Sequence, residues 1–117
     1  MQILPGCRYY KSDRLLKRPE FIALKNGRNV SDRFFILAYR SNTLEKSRLG
    51  ITVTRKIGGA VIRNRIKRVV REFYRMNRQR ISGHWDINII AKKAAADAPS
   101  DLILISLRSL VERIGVK

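Results

Sequence analysis

This chain predicts an α+β fold, a small mixed sheet with helices packed on one face, on three observations. The stretch 55–80, RKIGGAVIRNRIKRVVREFYRMNRQR, has an apolar side and a cationic side at a helical period of about 100° per residue. Three brief apolar runs, RFFILAYR (33–40), RLGITVTRK (48–56) and DINIIA (86–91), are bounded by turn residues and too short to stand as free helices. The last segment places Ile103, Leu107, Leu110, Val111 and Ile114 at helical spacing. Short strands joined partly by a tight turn and partly through helices make a sheet with helices on it rather than a bundle or a sandwich.

Taken in order, residues 1–13 read as a loose arm, and Pro19 with Glu20 suits the first turn of a short helix that Phe21, Ile22 and Leu24 make apolar and Gly27 ends. The runs 33–40 and 48–56, separated by a polar turn at Ser41 and Asn42, are expected to pair. In the second, Leu49, Ile51 and Val53 point one way and Thr52, Thr54 and Lys56 the other, giving a core face and a polar face able to hold a ligand. Gly58 and Gly59 lead into the basic helix, on which Ile62, Ile66, Val69, Val70, Phe73 and Met76 form the apolar side. Gly83 and His84 close that region before the strand 86–91. Asp97 or Ser100 is the expected cap of the final helix, with Pro99 in its first turn. With 117 residues, 44% of them apolar, and no repeat or linker, the chain reads as one domain, 1–117.

Charge narrows the function. The net charge is +17 and the pI about 11.3, which directs the chain to a polyanion. Residues 55–80 hold ten Lys or Arg against one acid, Glu72, and so more than half of that excess. Arg63, Lys67, Arg68, Arg71, Arg75 and Arg78 gather on one side of the helix with Asn64 and Tyr74. Solvated helix faces usually mix signs, and like charges at i,i+4 cost a few tenths of a kcal/mol per pair, so an unmixed face points to nucleic acid. A membrane is disfavoured: there is no long apolar run, and the N-terminal patch is broken by Pro5 and Gly6, so a cytoplasmic protein is expected. The single cysteine, Cys7, agrees with a reducing compartment.

The run RLGITVTRKIGGAVIRNRIKRVVREFYR, with Arg63, Asn64 and Arg65 at its centre after a Gly-Gly turn, resembles the signature region of the bacterial ribonuclease P protein subunit. The similarity extends from about Arg14 to the leucine-rich last helix. It implies a fold like a domain of certain ribosomal proteins, with a left-handed βαβ crossover. It also implies a subunit of the ribonuclease P holoenzyme, in which a catalytic RNA cleaves the 5′ leader from precursor tRNA with Mg2+ and the protein carries no catalytic residue. Its implied partners are ribonuclease P RNA and precursor tRNA, with no membrane and no obligate protein partner. Arg63, Asn64, Arg65, Lys67, Arg68 and Arg71 would face the catalytic RNA. A cleft on the polar sheet face beside the first helix would hold the single-stranded leader with Phe21, Thr52, Thr54, Arg55, Lys56 and Lys92.

The chemistry of these groups suits that division. Guanidinium forks match phosphate, and an Asn both donates and accepts, which serves against a 2′-hydroxyl or a base edge. A strand of variable sequence needs an aromatic ring, hydroxyls and a few cations. The family often has an aromatic near the position of Ala38; here strand alternation sends Tyr39 to the core and leaves Phe34 or Ile36 to line the cleft wall. Nine scattered acids, one Cys and one His, His84, make no zinc site, and no Gly-rich phosphate loop precedes a helix. The alternative is a general structural RNA-binding protein of ribosomal or RNA-chaperone type; DNA binding is disfavoured, since no helix-turn-helix spacing or zinc finger is visible.

Overall fold

The computed structural model describes residues 14–15, 18–24, 27–81 and 83–114, so the expected arm at 1–13 lies outside the described residues. The elements are α1 (Arg18–Leu24), β1 (Arg28–Ser31), β2 (Phe35–Ser41), β3 (Arg48–Thr52), α2 (Ala60–Asn77), β4 (Trp85–Ala91) and α3 (Ser100–Val111). The four-stranded sheet has the order β1-β2-β4-β3. β1 pairs antiparallel with β2, β2 antiparallel with β4, and β3 parallel with β4, so β3, α2 and β4 form the βαβ unit.

This order corrects the expected pairing of 33–40 with 48–56. β4 lies between them, because its Ile87, Ile89 and Ala91 offer a continuous apolar row to Tyr39, Leu37 and Phe35. β1, RNVS, was not expected as a strand at all: Val30 is its one apolar side chain and the other three are exposed, so it carries no apolar alternation, and the hairpin holds it. Asp32 makes the turn by accepting from the N–H groups of Phe34 (2.8 Å) and Phe35 (3.0 Å). Its second oxygen accepts from the Ser106 hydroxyl, which ties α3 to the hairpin.

Side-chain alternation sorts the layers. Phe35, Leu37, Tyr39, Leu49, Ile87 and Ile89 face a core closed by Ile66, Val70 and Phe73 of α2 and Ile103, Leu107 and Leu110 of α3. Tyr39 is in this core as expected, edge-on to Trp85 at 5.5 Å. α2 and α3 thus take the packing face, and α1 takes the other. The last helix starts at Ser100 with Pro99 at the capping position and no side-chain cap, so neither Asp97 nor Ser100 plays the expected part. Gly83, at φ 86°, makes the left-handed turn into β4.

α1 is held on its face by Arg48. Its guanidinium donates to both Asp86 oxygens, at 2.9 and 2.8 Å, and also to Glu20. Burial alone would raise the Asp86 carboxyl, but hydrogen bonds from Arg48 and Asn42 outweigh it and hold the group below its ordinary range. Such a carboxylate stabilises the fold above its unfolded pKa of about 4, and the contribution is lost as pH falls through the lower folded value. Asp86→Asn is therefore expected to cost about 2 kcal/mol at neutral pH. The gap between the variant and the native chain in urea unfolding should close as pH falls below about 4.

Candidate nucleic-acid interface

α2 begins without help from its N-terminal end. Gly59 at its cap makes no side-chain bond and its first turn has no acid, so neither capping nor the helix dipole favours this start. Burial of Ile66, Val70, Phe73 and Tyr74 fixes the helix instead, worth on the order of 8 kcal/mol before entropy. Two residues trade places relative to the sequence reading. Tyr74, expected among the cations, is 1% exposed and in the core, whereas Met76, expected inside, is 59% exposed. Met76 instead rims an apolar groove of about 400 Å³ with Leu104 and Ile105 of α3.

Opposite the buried stripe, Asn64, Arg68 and Arg71 are exposed with Arg75 half-buried among them, and Arg63 and Lys67 are half-buried at one border. Glu72, the one acid here, pairs with Arg75. The Arg63 Nε is buried without a hydrogen-bond partner among the described residues. Arg65 is engaged within the fold as well. It lies on the far flank of α2 and donates to the Ala98 carbonyl at 2.8 Å and the Ser100 hydroxyl at 3.4 Å, fastening α2 to the start of α3.

The second surface is the sheet face under α1. Phe21 of α1 lies over Gly50: a Cβ there would meet the ring at 2.4 Å, so glycine is what lets the helix approach this closely. By register, Gly50, Asn88 and Ala38 form one row across the strands, and Thr52, Ile90 and Ile36 the next. Ile36 therefore lines this face as expected. Phe34, half-buried with the Arg33 guanidinium 5.7 Å above its ring, also packs against the core cluster. β3 stops at Thr52, earlier than the expected 48–56. Thr54, Arg55 and Lys56 are instead exposed in a turn closed by the Ile57 N–H on the Thr54 carbonyl at 3.0 Å. Lys93 donates to the Ile57 carbonyl at 3.1 Å and brings that turn beside the end of β4. Lys92, half-buried there, has its ammonium on the Asp32 carbonyl at 2.7 Å.

The two surfaces meet at the β3 edge. Lys67 and Arg71 of α2 line a cavity of about 170 Å³ with Arg14, Phe21 and Gly50. The sequence reading missed Asn88 on the sheet floor and the Arg48 tie that positions α1. The polar residue inside DINIIA was the available signal for the first; nothing local marked the second.

The ribonuclease P family model matches residues 10–115. The chain belongs to the ribonuclease P protein family. Among its relatives, the ribonuclease P protein component of Desulfatibacillum aliphaticivorans is 48% identical over 108 residues, covering 92% of each chain. The RNase P protein of Staphylococcus aureus superposes with a TM-score of 0.84 at 34% identity, over 91% of this chain and 98% of that one. That of Thermotoga maritima gives 0.80 at 35% identity, over 86% and 96%. The α+β architecture is thus the family's, and the chain is a protein subunit of the ribonuclease P holoenzyme, the endonuclease that cleaves tRNA precursors. Partnership with ribonuclease P RNA follows from that membership. The reading as a general structural RNA-binding protein is set aside.

Proposed function

We propose that the two surfaces divide the holoenzyme's RNA between them. The exposed arc of α2, with Arg63, Asn64, Lys67, Arg68 and Arg71, holds ribonuclease P RNA, and the sheet face beneath α1 holds the single-stranded 5′ leader of precursor tRNA. The placement of Phe21 over Gly50 carries this reading: an aromatic ring fixed at the edge of an open, half-polar strip suits base stacking. From there the strip runs past Thr52 and Ile36 to Thr54, Arg55, Lys56 and Lys92, where backbone phosphates would meet hydroxyl and cation. Arg65 belongs to the same RNA-binding set with the part of its guanidinium that the Ala98 carbonyl does not engage.

Magnesium we assign to the RNA, which carries the chemistry. Among the described residues Glu20 and Asp86 converge, and Arg48 between them takes both. We place the assembly in the cytoplasm; none of the described helices is long and apolar enough to cross a membrane.

Reconstitution tests the reading. Adding the chain to ribonuclease P RNA at low magnesium should restore leader cleavage and favour precursor over mature tRNA by at least tenfold in affinity, about 1.4 kcal/mol. Cleavage indifferent to the chain, or equal affinity for the two tRNA forms, would refute it.

A further inference from the structure

The cleft floor holds a polar group that the leader reading does not use. Asn88 sits mid-strand in β4 between Ile87 and Ile89, whose side chains enter the core, so its own side chain faces the cleft. It is 7% exposed. A central strand favours a β-branched residue at such a position, and an amide taken out of water is costly unless bonded. Half of this amide is bonded: its Oδ1 accepts from the Thr52 hydroxyl at 3.1 Å. With Oδ1 on that hydroxyl, Nδ2 is the amide's remaining donor end. The Nδ2 hydrogens donate to no acceptor among the described residues, yet the nitrogen is not sealed from solvent.

The neighbours complete the arrangement. On β3 the partner of Asn88 is Gly50, beneath the Phe21 ring, and on β2 it is Ala38, which offers only a methyl group. An aromatic ring, an amide donor and a methyl-sized neighbour lie side by side across three strands. A phosphate would be served better by the cations at the far end of the strip. An uncharged donor suits a base edge instead.

We propose that Asn88 is a specificity-determining residue: its amide NH2 donates to the carbonyl oxygen of a leader base lodged beside Phe21. With that donor set against the O6/O4 edge, guanine and uracil, which carry a carbonyl oxygen at that position, are preferred at one leader position over adenine and cytosine, which carry the N6 or N4 amine in its place. The inference rests on the leader reading of the cleft and adds to it the class of base.

The test uses holoenzyme reconstituted with ribonuclease P RNA and precursor tRNAs in which each leader nucleotide is varied through the four bases. With the native chain, one position should bind guanine and uracil about 5- to 10-fold tighter than adenine and cytosine, the worth of one hydrogen bond. Asn88→Val, which suits a strand, should flatten that position alone. Asn88→Asp should invert it, because a carboxylate accepts where the amide donates; a purely structural role would move neither profile. Native base profiles retained by both variants would overturn the inference while the leader reading stood. Equal binding of precursor and mature tRNA by all three proteins would sink both.

Discussion

Replacing Arg68 and Arg71 together with glutamate should weaken binding of the chain to ribonuclease P RNA by at least 100-fold near 0.15 M salt. Both side chains are exposed on the α2 arc and neither forms an ion pair among the described residues, so their charge is available to a partner. Each reversal removes a phosphate contact and adds a repulsion. At about 1.5 kcal/mol or more per position the pair reaches roughly 3 kcal/mol, or two decades. The slope of log affinity against log salt should also drop by about 1.4 to 1.8, at 0.7 to 0.9 per phosphate. Stability should hardly move, since exposed substitutions away from caps and cores usually stay within about 0.5 kcal/mol. A filter-binding series over salt, with urea unfolding as control, checks both parts; an unchanged slope would remove α2 from the RNA interface.

The second large effect belongs to Phe21. Phe21→Ala should lower affinity for precursor tRNA by roughly 10- to 50-fold in the holoenzyme and leave mature tRNA nearly unaffected, because stacking one base on an aromatic ring is worth about 1 to 3 kcal/mol. Phe21→Leu separates packing from stacking. It refills the space over Gly50 without offering a ring face, so it should recover stability but not precursor affinity. Gly50→Ala approaches the same ring from below: the added methyl meets Phe21 at a distance no side chain tolerates, and the ring must shift. Equal losses for precursor and mature tRNA would show that Phe21 serves only the fold.

What the sequence disclosed and what it withheld follow from the range of the forces involved. The helices were legible because their apolar period is local: Ile66, Val70 and Phe73 recur along α2, and Ile103, Leu107 and Leu110 along α3. The arrangement of strands was not. A short polar turn between 33–40 and 48–56 imitates a hairpin, and nothing near either run shows that β4, more than thirty residues further on, will insert between them. β1 had no pattern to find, since it is held by pairing to β2. Tyr74 and Met76 exchanged roles because periodicity fixes an angle on the helix and not the line at which α3 stops covering it.

The site divides in the same way. Residue type and spacing marked the cationic face, and alternation put Ile36 on the cleft side and Tyr39 in the core. The three-way tie of Arg48 with Glu20 and Asp86 spans the sheet and α1, and the Arg65 bond to Ala98 joins two helices, so neither was visible in any window of sequence. Asn88 stood in plain view among isoleucines, but its partner Thr52 comes from a strand whose adjacency only the fold reveals.

Site-specific photocrosslinking tests the division of surfaces most directly. A photoreactive side chain is placed in turn at Ile36 on the sheet face and at Arg68 on α2, in holoenzyme bound to precursor tRNA. Position 36 should capture the 5′ leader and position 68 ribonuclease P RNA, with the leader crosslink lost when mature tRNA replaces precursor. Capture of the same RNA from both positions, or of the leader from α2, would contradict the account.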